Sequence, residues 1–162
     1  MQLHQTSTVR LRPAKGEDNL AIRRLKVKPC QQIFSGKATD FAGKMEDGIR
    51  MHVIENNGQV VGVFRVDQQF QYSFTFASFD TPGVGDFIVD EESQGQGIGT
   101  QTCRLLSQYL PEFHPRARGV YLLVNTRNLG AYKAFVRGGF MDSGEQYSRG
   151  PTGPQHVLYM PF

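Results

Sequence analysis

A glycine-rich segment, Gln94-Gly95-Gln96-Gly97-Ile98-Gly99-Thr100, constrains the fold of this chain more than any other feature. It follows an apolar run, Phe87-Ile88-Val89, and precedes a helical pattern that ends near Leu110, before Pro111. Glycines permit a tight turn, and such a turn exposes backbone N–H groups at the positive end of the helix dipole. A strand, a turn and a helix in this order therefore predict a binding site for an anion such as a phosphate or a pyrophosphate.

Glycine-rich turns between a strand and a helix also occur for structural reasons alone, so this turn by itself does not identify a ligand. The surrounding residues exclude two common phosphate-binding motifs. A P-loop ends in Gly-Lys-Ser/Thr, which this segment lacks. A dinucleotide-binding fold places the turn after an early strand and an acidic residue about twenty positions later, whereas this turn lies past the middle of the chain.

The remaining hydrophobic pattern alternates between strand-like and helix-like segments. Its strongest local signal is a hairpin, in which Met51–Glu55 and Gln59–Val66 flank an Asn-Asn-Gly turn. Further strands are expected at Val9–Arg12, residues 68–79, Gly85–Val89, Val120–Val124, Phe140–Tyr147 and His156–Met160. Helices are expected from Asp18 onward with Leu20 as an apolar position, within Lys37–Asp47, up to Leu110, and after the candidate N-cap Asn128. This order predicts one α/β domain over residues 1–162, with a mixed sheet.

Length, charge and cysteine content limit the classes of partner and compartment. A chain of 162 residues can bury an ordinary core without disulfides or metals. A net charge of +3 is too small to indicate a nucleic-acid partner by itself. Cys30 and Cys103 lack metal-ligand spacing, and we interpret both as free thiols in a reducing compartment. Because the sequence has neither an apolar leader nor a run of membrane-spanning length, we expect a cytoplasmic protein without a membrane partner.

A second motif lies further along the chain and indicates a family. Residues Leu122–Ala131 read Leu-Leu-Val-Asn-Thr-Arg-Asn-Leu-Gly-Ala, and Gly139-Phe140 follows. With this motif the chain resembles the GNAT superfamily of N-acetyltransferases. The residues that match its Q/R-x-x-G-x-G/A signature are Gln94, Gly97 and Gly99. Those that match its N-x-x-A-x-x-x-Y-x-x-x-G-F region are Val124–Asn128, Ala131 and Gly139-Phe140.

The resemblance implies an α/β (α+β) fold with a mixed sheet of about six or seven strands. This sheet would splay between strands 4 and 5 and carry about four flanking helices. The implied activity is an acyltransferase that moves an acetyl group from acetyl-CoA to a primary amine of a small molecule, such as a polyamine, an amino-acid derivative or an aminoglycoside-like amine. Alternatives are a protein or peptide N-acetyltransferase and a non-catalytic CoA-binding regulatory domain. No metal ion or nucleic acid is expected, and a homodimer is one possible assembly.

The family pattern also implies which residues contact the cofactor. The pantetheine arm would lie between the splayed strands and pair with backbone groups of Phe87 and Val89. Backbone N–H groups of the glycine-rich turn would hold the pyrophosphate, and three residues of the second motif would lie near the thioester. The expected cofactor-binding residues are Phe87, Ile88, Val89, Gln94, Gly95, Gln96, Gly97, Ile98, Gly99, Thr100, Asn128, Ala131 and Phe135.

One position departs from the family pattern and affects the general acid. Relatives commonly have Tyr where this chain has Phe135, and that Tyr protonates the leaving thiolate. Because a phenyl ring cannot donate a proton, Tyr132, Tyr147, Tyr159 or a bound water would have to act instead. A thiol has a pKa of ~8.5, so the thiolate leaves readily and the loss should lie at the lower end of the usual ~10²–10⁴-fold.

The general base has two candidates, Asp86 on the strand before the turn and His156 in the C-terminal Gly-Pro segment. A base would assist because an alkyl amine with a pKa of ~10.4 is mostly protonated at pH 7. Regular strand alternation places Asp86 on the face opposite to Phe87 and Val89, away from the thioester. A strand irregularity at the neighbouring glycines would redirect it. The sequence leaves both candidates open, and it suggests that residues 70–79 and the His156 segment shape the acceptor pocket.

Overall fold

A computed structural model of the protein describes residues 8–35, 37–38 and 46–162. The strands in this part of the chain are β1 (Val9–Pro13), β2 (Ile49–Asn56), β3 (Gln59–Asp67), β4 (Gly83–Val89), β5 (Gly119–Asn125), β6 (Met141–Tyr147) and β7 (Gln155–Pro161). The α-helices are α1 (Asn19–Arg24), α2 (Pro29–Ser35), α3 (Phe70–Ser73), α4 (Ile98–Tyr109) and α5 (Leu129–Arg137). The order of elements confirms the expected mixed α/β architecture.

All seven described strands form one sheet in the order β1-β2-β3-β4-β5-β7-β6. Neighbouring strands run antiparallel except β4 and β5, which are parallel and connected through α4. The predicted hairpin is confirmed as β2–β3, where Asn57 and Gly58 have positive φ values of 52° and 79°. Positive φ at both turn residues is the requirement of a two-residue hairpin turn, which explains the Asn-Gly pair.

The sheet opens between its two parallel strands, as the family pattern implies. Within β4 and β5, both fully described, the only paired residues are Gly83 with Tyr121 and Val84 with Leu122. From residue 85 onward the two strands diverge, so β4 has no strand partner on that edge. The gap lies directly before the glycine-rich turn, and it is the place where an extended ligand can complete the sheet.

Helices cover both faces of the sheet and bury its apolar side chains. One face packs against α4 and α5, where Phe64, Leu122 and Leu158 are at most 2% exposed. The other face carries α1 and the segment after it, through Ile22 and Val27, which pack with side chains of β2, β3 and β4. Each Å² of buried apolar surface contributes about 25 cal/mol, and burial on both faces of the sheet stabilises this layered arrangement.

The prediction of a strand at residues 68–79 is wrong. These residues form the short helix α3, which is followed by turns. Phe70 is buried against Phe74 and Tyr121, with ring centroids 4.4 and 5.7 Å apart, and a four-residue spacing brings Phe70 and Phe74 together on one side. Gly83 allows this packing, because a Cβ there would clash with the ring of Phe70.

Two helix expectations also change. A helix that the sequence analysis did not predict forms at Pro29–Ser35. The expected helix within Lys37–Asp47 stays a prediction, because residues 39–45 lie outside the described part of the chain. Leu20, expected on the apolar face of the first helix, is 60% exposed, because α1 is only a short helix and turns Ile22 inward instead. None of the helices in the described ranges has the length and apolar character required to cross a bilayer.

Candidate active site

The glycine-rich turn leads into α4 through residues with left-handed backbone. Gly95 and Gly97 have φ values of 79° and 76°, and Gly97 is the N-cap of α4. A Cβ at Gly95 would meet no atom within 4 Å, and one at Gly97 would meet only the Gln101 amide nitrogen at 4.0 Å. The turn is therefore not tightly packed by protein. Glycine here permits the left-handed backbone conformation. Because it has no side chain, it also leaves the N-terminus of a twelve-residue helix open to a ligand.

A cleft with a volume of about 440 Å³ begins at this turn. It brings together every residue expected to contact the cofactor except Gln96, which is exposed and directs its amide toward the Glu92 carbonyl. The sequence analysis missed several other residues of the cleft: Val27, Gln31, Ser35, Ser93, Gly130, Ala134 and Arg137. The three from the α2 region could have been found only if Pro29 had been read as the start of a helix.

Gln94, the first residue of the signature, forms side-chain hydrogen bonds that link the glycine-rich turn to β4 and α2. Its amide nitrogen donates to the Val89 carbonyl and to the Gln31 side-chain oxygen, both at 2.9 Å. The Gln31 amide nitrogen donates back to Gln94 at 3.2 Å. These bonds connect the end of β4, the turn and α2, so the side chain of Gln94 shapes the wall of the cleft.

Asp86 lies in a β-bulge, where the register between β3 and β4 shifts by one residue. Arg65 pairs with Gly85 and Val63 pairs with Ile88, so β4 advances three residues where β3 advances two. Asp86 takes up the extra residue with a φ of 44°, unusual for a residue other than glycine. The irregularity allowed for in the sequence analysis is present, and regular alternation does not describe this strand.

The Asp86 carboxylate pairs with Arg65, and Asp86 is also one of the residues that line a second cavity. Its carboxylate lies 3.1 Å from the Arg65 Nε, an ion pair whose angles do not satisfy a hydrogen bond. Burial raises the pKa of the Asp86 carboxyl, an effect opposed by Arg65 and reinforced by Glu46. A carboxylate with a raised pKa is a stronger base than an exposed aspartate, which suits a proton acceptor.

The second cavity has a volume of about 90 Å³ and adjoins the cleft at the β4–β5 gap. Both cavities are lined by Ser35, Phe87, Asn128, Ala131 and Phe135, so these residues mark the junction. Residues that belong to the second cavity and not to the cleft include Phe34, Val84, Gly85, Asp86, Leu122, Leu123, Val124, Asn125, Thr152 and Gln155. Asp86 thus lines the second cavity next in sequence to Phe87, one of the junction residues.

Two residues of the second motif have defined packing at this junction. Phe135 is 7% exposed and meets Phe87 edge-on, with ring centroids 5.3 Å apart. Asn128 is confirmed as the N-cap of α5, and its side-chain oxygen accepts from the Ala131 N–H at 3.4 Å. Its amide nitrogen is a further donor at the junction, so a capping role and a ligand-binding role are compatible.

The other proposed catalytic side chains lie outside both cavities. The Tyr132 hydroxyl donates to the Asp142 carboxylate at 2.9 Å, and His156 Nδ1 lies 3.6 Å from the same carboxylate. The His156 side chain occupies the face of β7 that packs toward α5, with its ring centroid 4.7 Å from that of Tyr132. The structure therefore groups His156 with Tyr132 and Asp142 and brings neither candidate to the junction. On β7, Gln155 lines the second cavity, and strand alternation directs the next residue, His156, to the opposite face.

Neither Tyr147 nor Tyr159 lies at the junction. The Tyr147 ring packs against Phe74, with centroids 5.0 Å apart, and the Tyr159 hydroxyl donates to the Arg118 carbonyl at 3.3 Å. Over residues 8–35, 37–38 and 46–162, no tyrosine lines either cavity, and no group of three His, Cys, Asp or Glu side chains is placed to hold a metal ion. Of the titratable candidates in this part of the chain, only Asp86 lines one of the two cavities.

Known proteins with similar sequences include acetyltransferases that act on polyamines. The spermine/spermidine N(1)-acetyltransferase of Bacillus subtilis (strain 168) is 34% identical over 59 residues, which cover 36% of this chain and 38% of that protein. A probable spermine N(1)-acetyltransferase of Bacillus subtilis subsp. natto is 32% identical over 59 residues, with the same coverage. The matched segment thus spans less than two fifths of the length of these curated relatives.

Solved structures share the fold over nearly the whole chain. An aminoglycoside acetyltransferase in complex with coenzyme A superposes with a TM-score of 0.76 at 16% identity, covering 95% of each chain. A spermidine N-acetyltransferase mutant from Vibrio cholerae gives a TM-score of 0.69 at 16% identity, covering 94% of this chain and 93% of the other. A family model described as the acetyltransferase (GNAT) family matches residues 21–140, well over half of the sequence. The chain therefore belongs to the GNAT family of acetyltransferases.

Proposed function

We propose that this protein transfers an acetyl group from acetyl-CoA directly to a primary amine of a small molecule. The observation that carries the proposal is the junction of the two cavities. The cleft beside the glycine-rich turn reaches the β4–β5 gap, and Asp86, which lies in the bulge, lines the adjoining cavity. A thioester presented from one side and an amine from the other would meet beside Asp86.

Acetyl-CoA suits the chemistry of the cleft. The N–H groups at the start of α4 favour the negative pyrophosphate, both as donors and through the helix dipole. Because β5 pairs with β4 only at Gly83 and Val84, the facing edge of β4 from Gly85 to Val89 has no strand partner in the described chain. Buried backbone polar groups need partners, and the amides of a pantetheine arm would supply them.

The reaction needs removal of a proton from the amine and departure of a thiolate. The amine nitrogen attacks the thioester carbonyl carbon, its proton passes to a base, and the C–S bond breaks to release CoA. Asp86 is the base in this proposal, acting directly or through one water. The Phe135 ring supplies no proton, so the thiolate of pKa ~8.5 takes its proton from water.

Small-molecule amines are the proposed acceptors, because the cavity that Asp86 lines has a volume of only about 90 Å³. A polyamine, an amino-acid derivative and an aminoglycoside-like amine remain the candidate classes. The similar proteins named above, which act on polyamines or aminoglycosides, support this choice.

An assay of thiol release tests the proposal. The purified protein is mixed with acetyl-CoA and a panel of primary amines, with a lysine-containing peptide as a separate arm, and products are identified by mass spectrometry. We expect acetylation of small amines with one thiol released per acetylated nitrogen. Acetylation of the peptide alone would contradict the small-molecule assignment, and binding of acetyl-CoA without any transfer would contradict the enzymatic one.

A further inference from the structure

Three segments meet at the outer wall of the second cavity. They are the last turn of α2, the loop between β5 and α5, and the loop between β6 and β7, represented by Phe34, Arg127 and Thr152. The guanidinium carbon of Arg127 lies 5.7 Å from the centroid of the Phe34 ring. The same guanidinium donates to the Thr152 carbonyl at 2.7 Å. A cation at this distance above an aromatic face is attracted to the ring. Arg127 therefore connects α2, through Phe34, to the loop between β6 and β7, through Thr152.

Asn125 fixes this wall from inside. Its side chain is 4% exposed, and its amide nitrogen donates to the Thr152 carbonyl at 2.9 Å and to the Thr152 hydroxyl at 3.1 Å. Its side-chain oxygen accepts from the Arg127 N–H at 2.9 Å. A buried amide with both ends bonded holds its neighbours in one arrangement. The wall at Phe34 and Thr152 is therefore built by a connected set of bonds.

The cavity behind this wall is small. Its volume of about 90 Å³ is far below the roughly 300 Å³ at which pockets begin to enclose whole ligands, so it admits only the reacting end of an acceptor. Phe34 and Thr152 line it together with Asp86. Phe34 is the aromatic side chain that α2 contributes to the lining of this cavity.

We propose that Phe34, held in place by Arg127, restricts the acceptor to a primary amine on an unbranched methylene arm. An amine on a ring carbon or on a branched carbon is excluded by the Phe34 ring. This inference rests on the proposed acetyl transfer and specifies which acceptors it uses. Phe34 acts on specificity and takes no part in the movement of protons.

A pair of probe amines with equal carbon number tests the role of Phe34. Hexylamine carries its nitrogen on a methylene, and cyclohexylamine carries it on a ring carbon. We expect the wild-type protein to prefer hexylamine by at least about tenfold in kcat/KM, within the range that pocket shape achieves. Phe34→Ala should reduce this preference to about threefold or less by raising the rate with cyclohexylamine, while the KM for acetyl-CoA stays unchanged.

A neighbouring residue on the same helix supplies the control. Ile33 is 55% exposed and lines neither cavity, so Ile33→Ala should keep the wild-type preference. Arg127→Ala releases the Phe34 ring without changing α2, and it should reduce the preference in the same direction. This second variant carries the test if Phe34→Ala does not fold.

The outcomes separate this inference from the proposed function. Equal rates with both amines in the wild type, or an unchanged preference in Phe34→Ala and Arg127→Ala, would overturn the role of Phe34 and leave acetyl transfer intact. A failure to acetylate any primary amine would overturn acetyl transfer itself, and the inference with it.

Discussion

Replacement of Asp86 by Asn is the most informative change at the junction. Asparagine has nearly the same shape as aspartate, so the bulge can be retained, but its amide cannot accept the proton of the attacking amine. The position keeps its φ of 44°, which asparagine tolerates better than most residues. The variant thus removes the base while preserving the cavity.

The expected loss follows from the proton that the base must take. An alkyl amine with a pKa of about 10.4 is neutral in only about one molecule in 2,500 at pH 7, which costs about 4.6 kcal/mol. We expect Asp86→Asn to lower kcat/KM for the amine about 100-fold at pH 7, about 2.7 kcal/mol. The loss should shrink by about tenfold per pH unit above pH 7, because the acceptor then loses its proton to solvent.

The assay is the pH dependence of kcat/KM with the amine as the varied substrate. The wild-type rate should fall as the pH drops through the pKa of Asp86, and this fall should come at a higher pH than for an ordinary aspartate, because burial raises that pKa. Arg65→Met should move the fall to still higher pH, because Arg65 holds the pKa down.

The control is Glu92→Gln, which removes an exposed carboxylate that lines neither cavity. It should leave the pH profile of the wild type unchanged. An Asp86→Asn variant with wild-type kcat/KM at pH 7 and an unshifted pH profile would refute the assignment of the base.

Three further changes test other parts of the structure. Gly97→Val should weaken acetyl-CoA binding at least tenfold by calorimetry, about 1.4 kcal/mol, whereas Gly58→Val, with similar positive φ in a remote turn, should not; equal affinities in both would contradict the phosphate site. Phe135→Tyr should keep or raise kcat, by about tenfold at most, and a large fall in steady-state assays would show that the junction rejects a hydroxyl. Burial lowers the pKa of His52 from 6.5 to about 3. The free energy of unfolding should therefore decrease as the pH is lowered below 6.5, by about 2 kcal/mol from pH 7 to pH 5 in urea titrations. A stability that does not change over this range would contradict a neutral buried imidazole.

The fold and the cleft could be predicted well from the sequence because their signals are local. The glycines of the turn, the Asn-Gly hairpin and the cap at Asn128 each restrict backbone angles within a few residues. The short helix α3 could not be predicted, because its aromatic residues are equally frequent in strands and only their packing against Tyr121 decides the conformation. The position of α2 depended in the same way on contacts with a distant segment, through Gln31 and Gln94.

The direction of Asp86 shows the limit of pattern reasoning at the site. Alternation is a rule for regular strands, and the extra residue in β4 interrupts it at Asp86, whose carboxylate pairs with Arg65. The nearby glycines signalled an irregularity, but its exact position depends on the register between β3 and β4, which the sequence does not contain. His156 and Tyr132 were plausible by residue type, and their common partner Asp142 became visible only in three dimensions.

A single-turnover experiment tests the central claim, direct transfer at the junction, most directly. The protein is mixed with an equimolar amount of acetyl-CoA and an excess of a primary amine, and the masses of protein and amine are measured as the thiol appears. Direct transfer predicts one acetylated amine for each thiol released and no acetylated form of the protein at any time. An acetyl group that appears first on the protein, or acetyl-CoA that stays intact although it binds, would contradict the account.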